Sequence, residues 1–168
     1  EAKKIPPKFS RFRHVLFFRM WSAFRSGRAE LALGEIAAQR SAYFGKYLEP
    51  ESYLLLTYLL KRLCRDAEVK EVIAQVEQFS SDLKSGKITF REWASLEVGT
   101  RTYLELSQRK DPQGLPARQL EARRAEKRWI ENLLIASFER KKKQWLDELP
   151  RVIAYSRLVS TPGVGGGL

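Results

Sequence analysis

Residues 3–28 read KKIPPKFSRFRHVLFFRMWSAFRSGR, and they predict the first helix of the fold. The helix is expected over 11–26, with Ser10 as its N-cap and Gly27 as the residue that ends it. Large apolar side chains lie on every side of it, which indicates burial on several sides. Arginines are interspersed among them, and an unpaired guanidinium is too costly to bury in a dry core. We therefore expect the helix to pack on its own domain on one side and on an anionic partner on another.

Two apolar sides of this helix compete for the interior. At 100° per residue, one side holds Leu16 and Met20, and the other holds Phe17, Trp21 and Phe24. The pattern leaves open which of these two sides faces the core. The arginines that are expected to face the partner are Arg11, Arg13, Arg19 and Arg25.

The positive charge of the chain is concentrated at one end. The 168 residues carry a formal net charge of +11. Residues 1–28 contain eight basic residues and one acidic residue, a net charge of +7, whereas the remainder contains 23 basic and 19 acidic residues, a net charge of +4. Such asymmetry is typical of proteins that bind nucleic acid, anionic lipid or an acidic protein face. The length favours one domain with tails, and no apolar run is long enough to cross a membrane.

Residue types that carry catalytic or metal-binding chemistry are scarce. Cys64 is the only cysteine, so no disulfide forms within the chain, and we expect it to be a small core residue inside the third helix. His14 is the only histidine and has neither a zinc-ligand set nor a general-base motif around it. Residues 81–92 have the outline of a calcium loop, but Leu83 offers no oxygen ligand where one is needed, so we interpret them as a turn and a helix cap. No catalytic residue, metal or cofactor is expected.

Helical periodicity without any strand pattern predicts an all-α fold, in which helical hairpins stack as a short array before one long C-terminal helix. The expected segments are a basic extended arm at 1–9, a helical-hairpin domain at 10–110, a long helix and a short helix at 116–158, and a Gly-rich tail at 159–168. Within the hairpin domain the expected helices span about 10–26, 28–44, 51–65, 66–83 and 90–108.

Local signals indicate several of the helix ends. Asp66 is predicted to be the N-cap of the fourth helix. Thr89 and Glu92 have the spacing of a capping box at the start of the fifth. Pro116 is favoured at the first position of the long helix, and Pro150 is expected to interrupt that helix. The apolar stripe of the long helix is expected to comprise Trp129, Ile130, Leu133, Leu134, Phe138 and Trp145.

An internal repeat supports the hairpin interpretation. Residues 15–39 align without gaps onto residues 53–77, at an offset of 38 residues. In each unit bulky apolar residues precede a tight turn and a second helix. This pattern, with Pro50 before the second unit, resembles the helical-hairpin repeats of pentatricopeptide and tetratricopeptide proteins. The resemblance covers about 12–80, and it implies a stacked helical solenoid of the kind common in organellar RNA metabolism and organellar ribosomes.

Lysines and arginines cluster in patches that are expected to bind RNA phosphates. The alternative is that many of those on the long helix pair with acidic residues on a solvated face. The candidates at the N-terminal end are Lys3, Lys4, Lys8, Arg11, Arg13, Arg19, Arg25 and Arg28. The long helix carries two patches, and their members are Arg118, Arg123, Arg124, Lys127 and Arg128 in the first, and Arg140, Lys141, Lys142 and Lys143 in the second. All of these except Arg118 and Arg140 are candidate RNA-binding residues.

Together these features predict a structural, non-catalytic subunit of a large ribonucleoprotein. The chain is expected to contact rRNA and neighbouring proteins of a mitochondrial ribosome, in the matrix, with protein contacts through the first helix and both tails. The alternative is an accessory subunit on the soluble face of a mitochondrial respiratory or ATP-synthase complex. In that assembly the first helix would bind protein or anionic lipid headgroups.

Overall fold

The computed structural model of the chain describes residues 12–40, 47–96 and 98–163, with backbone alone at 12, 13 and 98. Every element within these ranges is an α-helix and none is a strand, so the predicted all-α fold with a long C-terminal helix is confirmed. The helices are α1 (Phe12–Arg25), α2 (Ala29–Gln39), α3 (Pro50–Arg62), α4 (Asp66–Lys84), α5 (Phe90–Ala94), α6 (Val98–Gln108) and α7 (Ala117–Ser160). The predicted arm at 1–9 and residues 164–168 of the predicted tail lie outside the described residues.

Helices α1 and α2 form one hairpin, and α3 and α4 form a second. The first hairpin closes at Gly27, whose φ is 74°. The N–H groups of Gly27 and Arg28 donate to the carbonyl oxygens of Phe24 and Ala23 at 3.0 and 2.9 Å. This is the Schellman arrangement, in which a residue with left-handed backbone satisfies the last carbonyl groups of a helix. Helix α2 ends at Gln39, short of the end predicted near residue 44.

The second hairpin closes in the same way at Cys64, and two predictions fail there. Cys64 is exposed and has a φ of 56°, so it lies in the turn and not inside α3. The N–H of Arg65 donates to the carbonyl oxygen of Leu60 at 3.0 Å, which completes the turn. Arg65 is therefore the N-cap of α4, and Asp66 is its first helical residue instead of its cap. The Asp66 carboxylate instead accepts a hydrogen bond from Lys61 at 2.8 Å.

The main core settles which side of α1 faces inward. Met20 is fully buried, and Leu16 and Ala23 are buried beside it. Phe17 and Trp21, on the competing side, are only partly buried against the edge of this core. The core itself is formed by α1 to α4 and the C-terminal half of α7. Its largest fully buried side chains include Trp145, Phe79, Met20, Ile36 and Leu59.

Helices α5 and α6 replace the single helix that was predicted over 90–108. Thr89 is confirmed as the N-cap at the start of α5, where its hydroxyl accepts from the N–H of Glu92 at 3.2 Å, which is one of the two bonds of the predicted capping box. The chain then turns after Ala94, because two side chains from α6 bind the carbonyl groups at the end of α5. The Thr100 hydroxyl donates to the carbonyl oxygen of Ala94 at 2.6 Å, and the Arg101 guanidinium donates to that of Ser95 at 2.9 Å.

A smaller core joins α5 and α6 to the N-terminal half of α7. It consists of Ala94, Leu104, Ile130 and Leu134. Two of the six residues in the predicted stripe of α7 do not take part, since Trp129 is 62% exposed and Leu133 is 45% exposed. Only one side of α7 is covered by the rest of the chain, and these two residues lie on the uncovered side. The prediction was wrong for them and right for the four buried members of the stripe.

Helix α7 continues through Pro150, where a break was predicted. Proline has no N–H to donate, so the helix lacks one backbone hydrogen bond at this point. Leu149 is fully buried and Val152 is 5% exposed, and both belong to the main core. Tertiary packing on either side of Pro150 therefore holds the backbone helical. At the other end Pro116 is the N-cap and not the first helical residue.

A buried carboxylate links the segment before α3 to the end of α4. Asp82 accepts hydrogen bonds from Gln78 at 2.8 Å and Tyr47 at 3.2 Å, and Lys87 lies 3.4 Å away. The bond from Gln78 contributes most to lowering the pKa of Asp82, with Tyr47 and Lys87 adding to it against the opposing effect of burial. Burial, followed by the bond to Asp82, raises the pKa of Tyr47 to about 12. Residues 81–92 thus serve as a turn and a cap, as expected.

Candidate nucleic-acid interface

The predicted cations of the N-terminal stretch divide into three groups. Lys3, Lys4, Lys8 and Arg11 lie outside the described residues. Arg13 lies in the first turn of α1, and its side chain is not described. Arg25 and Arg28 are exposed at the turn between α1 and α2 and make no ion pair with a described residue.

Arg19 does not face outward as predicted. Its guanidinium pairs with the carboxylate of Glu35 on α2, which is 5% exposed. A buried carboxylate requires a cation close by, because the charge is otherwise far from water. Arg19 therefore holds the first hairpin together, and it no longer belongs among the candidates for RNA binding.

The loop between α6 and α7 is attached to α7 by Lys127. Its ammonium group lies 2.7 Å from the carboxylate of Asp111 and also donates to the carbonyl oxygen of Arg109. The hydrogen bond from Lys127 is the largest of the effects that lower the pKa of Asp111, and the nearby charges of Arg124 and Arg123 lower it further. Lys127 is thus engaged within the chain, which corrects its predicted role as a free cation.

The cations around this loop form what we call the basic corner. Residues 109–128 contain seven basic and three acidic residues, a net charge of +4. Apart from Lys127, all the basic residues are exposed and make no ion pair in the part of the chain that the structure describes. These free cations are Arg109, Lys110, Arg118, Arg123, Arg124 and Arg128. Three of the four candidate RNA-binding residues predicted in this patch are therefore available to an anion.

Two basic residues of the corner were missed in the sequence. Arg109 and Lys110 lie at the end of α6, separated from the α7 cluster by a loop that contains two prolines and a glycine. The hydrogen bond from Lys127 to the Arg109 carbonyl folds this loop back onto α7. The only signal in the sequence was the triplet Arg109-Lys110-Asp111, whose acidic residue supplies the partner of Lys127.

The third predicted patch is partly structural. Lys141 lies 3.0 Å from the carboxylate of Glu49 and 5.4 Å from the centre of the Trp145 ring. The same carboxylate accepts a hydrogen bond from the indole N–H of Trp145 at 3.2 Å. Lys141 therefore joins α7 to the start of α3. Lys142 and Lys143 make no ion pair among the described residues, and Lys143 is exposed.

Helix α1 begins beside this third patch. His14 lines two adjacent cavities, of about 270 and 310 Å³, together with Glu49, Lys141 and Gln144. The third predicted patch therefore lies beside the first turn of α1, whereas the basic corner lies nearer the N-terminus of α7.

An open groove of about 860 Å³ runs along the outer side of α1. Phe17, Phe18 and Trp21 line it from α1 together with Ser22, Arg25 and Ser26, and Glu51 and Leu54 of α3 lie on the opposite wall. Phe18, which lies in the groove, is 68% exposed. Such an exposed aromatic surface is typical of contact with another protein.

Neither metal sites nor membrane spans emerge from the described ranges. No group of three or more histidine, cysteine, aspartate or glutamate side chains among the described residues is placed to hold a metal ion. None of the described helices is both long enough and apolar enough to cross a membrane. No protein-family model, no curated protein and no solved structure matches the chain.

Proposed function

We propose that this protein is a structural, non-catalytic subunit of a large ribonucleoprotein, and that it contacts rRNA and neighbouring proteins of a mitochondrial ribosome. The basic corner is the observation that carries the proposal. Its six free cations lie just after α6 and in the first part of α7, on the two sides of a loop that Lys127 and Asp111 fix in place, and Arg123 and Arg124 lie near enough to Asp111 to lower its pKa. Arginine guanidinium groups bind phosphate oxygens in a planar, two-pronged geometry, and clusters of them neutralise a phosphate backbone.

The acidic residues that could neutralise the corner do not do so. Asp111 pairs with Lys127 and leaves Arg123 and Arg124 without an ion pair. Glu121 and Glu126 are exposed and make no ion pair among the described residues. A positive surface that the chain itself leaves uncompensated supports binding to a polyanion. The segment that precedes α1, residues 1–11, contains four basic residues and one acidic residue, and so adds a net charge of +3.

Contact with a neighbouring protein is proposed for α1. The exposed ring of Phe18 and the groove between α1 and α3 offer an apolar surface that is distinct from the basic corner. A subunit that binds RNA at one end and protein along another face suits a large assembly. The mitochondrial location is proposed from the basic N-terminal sequence together with the repeat-like hairpins.

The proposal is tested by the salt dependence of RNA binding. The variant with Arg123, Arg124 and Arg128 all changed to Gln is compared with a control variant in which Arg40, Lys70 and Lys84 are changed to Gln. The control removes the same charge from exposed positions at the end of α2 and on α4, none of which makes an ion pair with a described residue. For single-stranded RNA each phosphate contact contributes about −0.7 to the slope of log K against log salt. Losing three contacts therefore makes this negative slope less steep by about 2.

The expected result is that the corner variant loses this part of the slope and the control does not. Equal slopes for wild type and both variants would refute the corner as an RNA site. Flotation with cardiolipin-containing vesicles tests the alternative, an accessory subunit of a respiratory or ATP-synthase complex. That alternative predicts binding to lipid or protein without binding to RNA. Co-sedimentation of the native protein with ribosomal particles, and its release at high salt, tests the assembly itself.

A further inference from the structure

The two hairpin turns carry the same sequence pattern on the same backbone. The first reads Arg25-Ser-Gly-Arg28 and the second reads Arg62-Leu-Cys-Arg65, at an offset of 37 residues. In each, the first arginine is the last residue of a helix and the second is the N-cap of the next. The backbone angles of Arg28 are −92° and 70°, and those of Arg65 are −94° and 58°.

The hydrogen bonds of the two turns also correspond one to one. The N–H of Arg28 donates to Ala23 at 2.9 Å, and the N–H of Arg65 donates to Leu60 at 3.0 Å. The sequence alignment at an offset of 38 was one residue away from this structural equivalence, and it placed Gly27 on Arg65. At an offset of 37 the arginines of the two turns coincide.

Both turns lie at the same edge of the molecule. The groove separates α1 from α3, but the two helices approach each other near their C-terminal ends, where the ring of Phe24 lies 5.6 Å from the ring of Tyr58. Phe24 is one residue from the end of α1 and Tyr58 is about one helical turn from the end of α3, so this ring contact brings the two turns near each other.

An arginine of the second turn reaches toward the first. The guanidinium carbon of Arg62 lies 6.0 Å from the centre of the Tyr58 ring, the same ring that Phe24 contacts. Arg25, which follows Phe24 in the chain, and Arg28 belong to the other turn. All three arginines are exposed, and none of them makes an ion pair with a described residue.

The acidic residues at this edge pair only with the other two cations, Arg65 and Lys61. Arg65 pairs with Glu68, and Lys61 pairs with Asp66 at 2.8 Å. Glu30, at the start of α2, is exposed and makes no ion pair among the described residues. Five cations thus face three carboxylates, and the excess positive charge belongs to the unpaired arginines, Arg25, Arg28 and Arg62.

We propose that this edge binds two neighbouring phosphate groups of an RNA strand, one at each turn. The inference rests on the proposed function and adds a second RNA-binding site to it, remote in sequence from the basic corner. A strand with regularly spaced phosphates suits two equivalent sites at a fixed separation.

The test uses the full chain and a labelled single-stranded RNA 20-mer of mixed sequence. The turn variant has Arg25, Arg28 and Arg62 changed to Gln, and it is compared with the corner variant and the control variant defined above. We expect the turn variant to lose two phosphate contacts, which makes the slope of log K against log salt less steep by about 1.4, with the same loss for a polyuridine strand, because phosphate contacts carry no sequence information. The corresponding triple change to Lys, which keeps the charge, is expected to restore most of the slope.

Failure of this inference is distinguishable from failure of the proposed function. If the turn variant behaves like the control while the corner variant loses affinity, the edge is not an RNA site although the protein binds RNA. If wild type shows no salt-dependent RNA binding, both proposals are overturned. A polyglutamate peptide of equal charge is tested in parallel. Loss of peptide binding without loss of RNA binding in the turn variant assigns the edge to an acidic protein and overturns the inference.

Discussion

Changing Cys64 to Gly is predicted to stabilise the protein, because Cys64 occupies a backbone conformation that suits glycine. Its φ is 56°, and the equivalent residue of the first hairpin turn is Gly27, with a φ of 74°. A left-handed conformation costs a residue with a side chain about 1–2 kcal/mol. Glycine also has more conformational entropy in the unfolded chain, which favours unfolding by about 0.4–1 kcal/mol and opposes part of this benefit. The net stabilisation is therefore about 0.5–1 kcal/mol.

The reverse change at the other turn supplies the matching measurement. A Cβ placed on Gly27 meets no atom within 4 Å, so changing Gly27 to Ala introduces backbone strain without a steric clash. We expect this variant to lose about 0.5–1 kcal/mol, the same quantity with the opposite sign. The two turns have the same hydrogen bonds, so the two values are directly comparable.

The assay is urea unfolding followed by circular dichroism, together with thermal melting. For a chain of this length a change of 1 kcal/mol shifts the melting temperature by about 2–4 °C. The control is Cys64→Ala, which removes the thiol but keeps the Cβ, and it should melt with the wild type. If Cys64→Gly is no more stable than Cys64→Ala, the backbone at this turn is not strained and the reasoning fails.

Three further predictions concern buried contacts. The free energy of unfolding is expected to fall between pH 10 and about 12, because the pKa of Tyr47 is raised to about 12 and the folded state keeps a proton that the unfolded chain releases. In urea titrations, Tyr47→Phe should remove this part of the loss. Trp145→Ala should cost about 3–5 kcal/mol, since the side chain is 1% exposed and its N–H binds Glu49, and a cost below 1 kcal/mol would contradict the core described here. Arg19→Ala should cost about 1–3 kcal/mol of unfolding free energy by leaving Glu35 unpaired. The double variant in which Glu35 is also changed to Ala should recover part of this loss, and RNA binding should be unaffected.

Local patterns in the sequence were sufficient to predict the helices of the two hairpins. Apolar periodicity predicted all the helices of the two hairpins, and Thr89 with Glu92 marked the start of α5 correctly. These signals act within a few residues, so they can be read without knowing the fold. The break between α5 and α6 depends on hydrogen bonds from Thr100 and Arg101 to carbonyl groups six residues earlier. Serine, threonine and arginine occur in many helices, so nothing in the sequence marked these two as the cause of a turn.

The side of α1 that faces the core was decided by partners that are distant in the chain. Met20 is buried against α2 and lies 3.8 Å from the amide nitrogen of Gln39. Both apolar sides of the helix had enough hydrophobic surface to be buried, and the sequence of α1 alone could not choose between them. The same reason explains Pro150, where burial of Leu149 and Val152 outweighs the missing hydrogen bond.

The sequence could not show which cations are paired within the chain and which are free, because their partners are distant in the chain. Knowing which cations are free narrows the surface that is proposed to bind RNA. Lys141 pairs with Glu49, which lies 92 residues earlier in the chain, and Lys127 pairs with Asp111 across a loop. A count of basic residues treats these lysines as equal to Arg124 or Arg128, although their charge is already balanced. Once the paired cations are set aside, most of the unpaired cations of the described chain lie at the basic corner, at the two hairpin turns and beside the start of α1, whereas Arg40, Lys70 and Lys84 lie elsewhere. A charge that served solubility alone would have no reason to persist in clusters after pairing, whereas binding to an extended polyanion requires several separate sites of this kind.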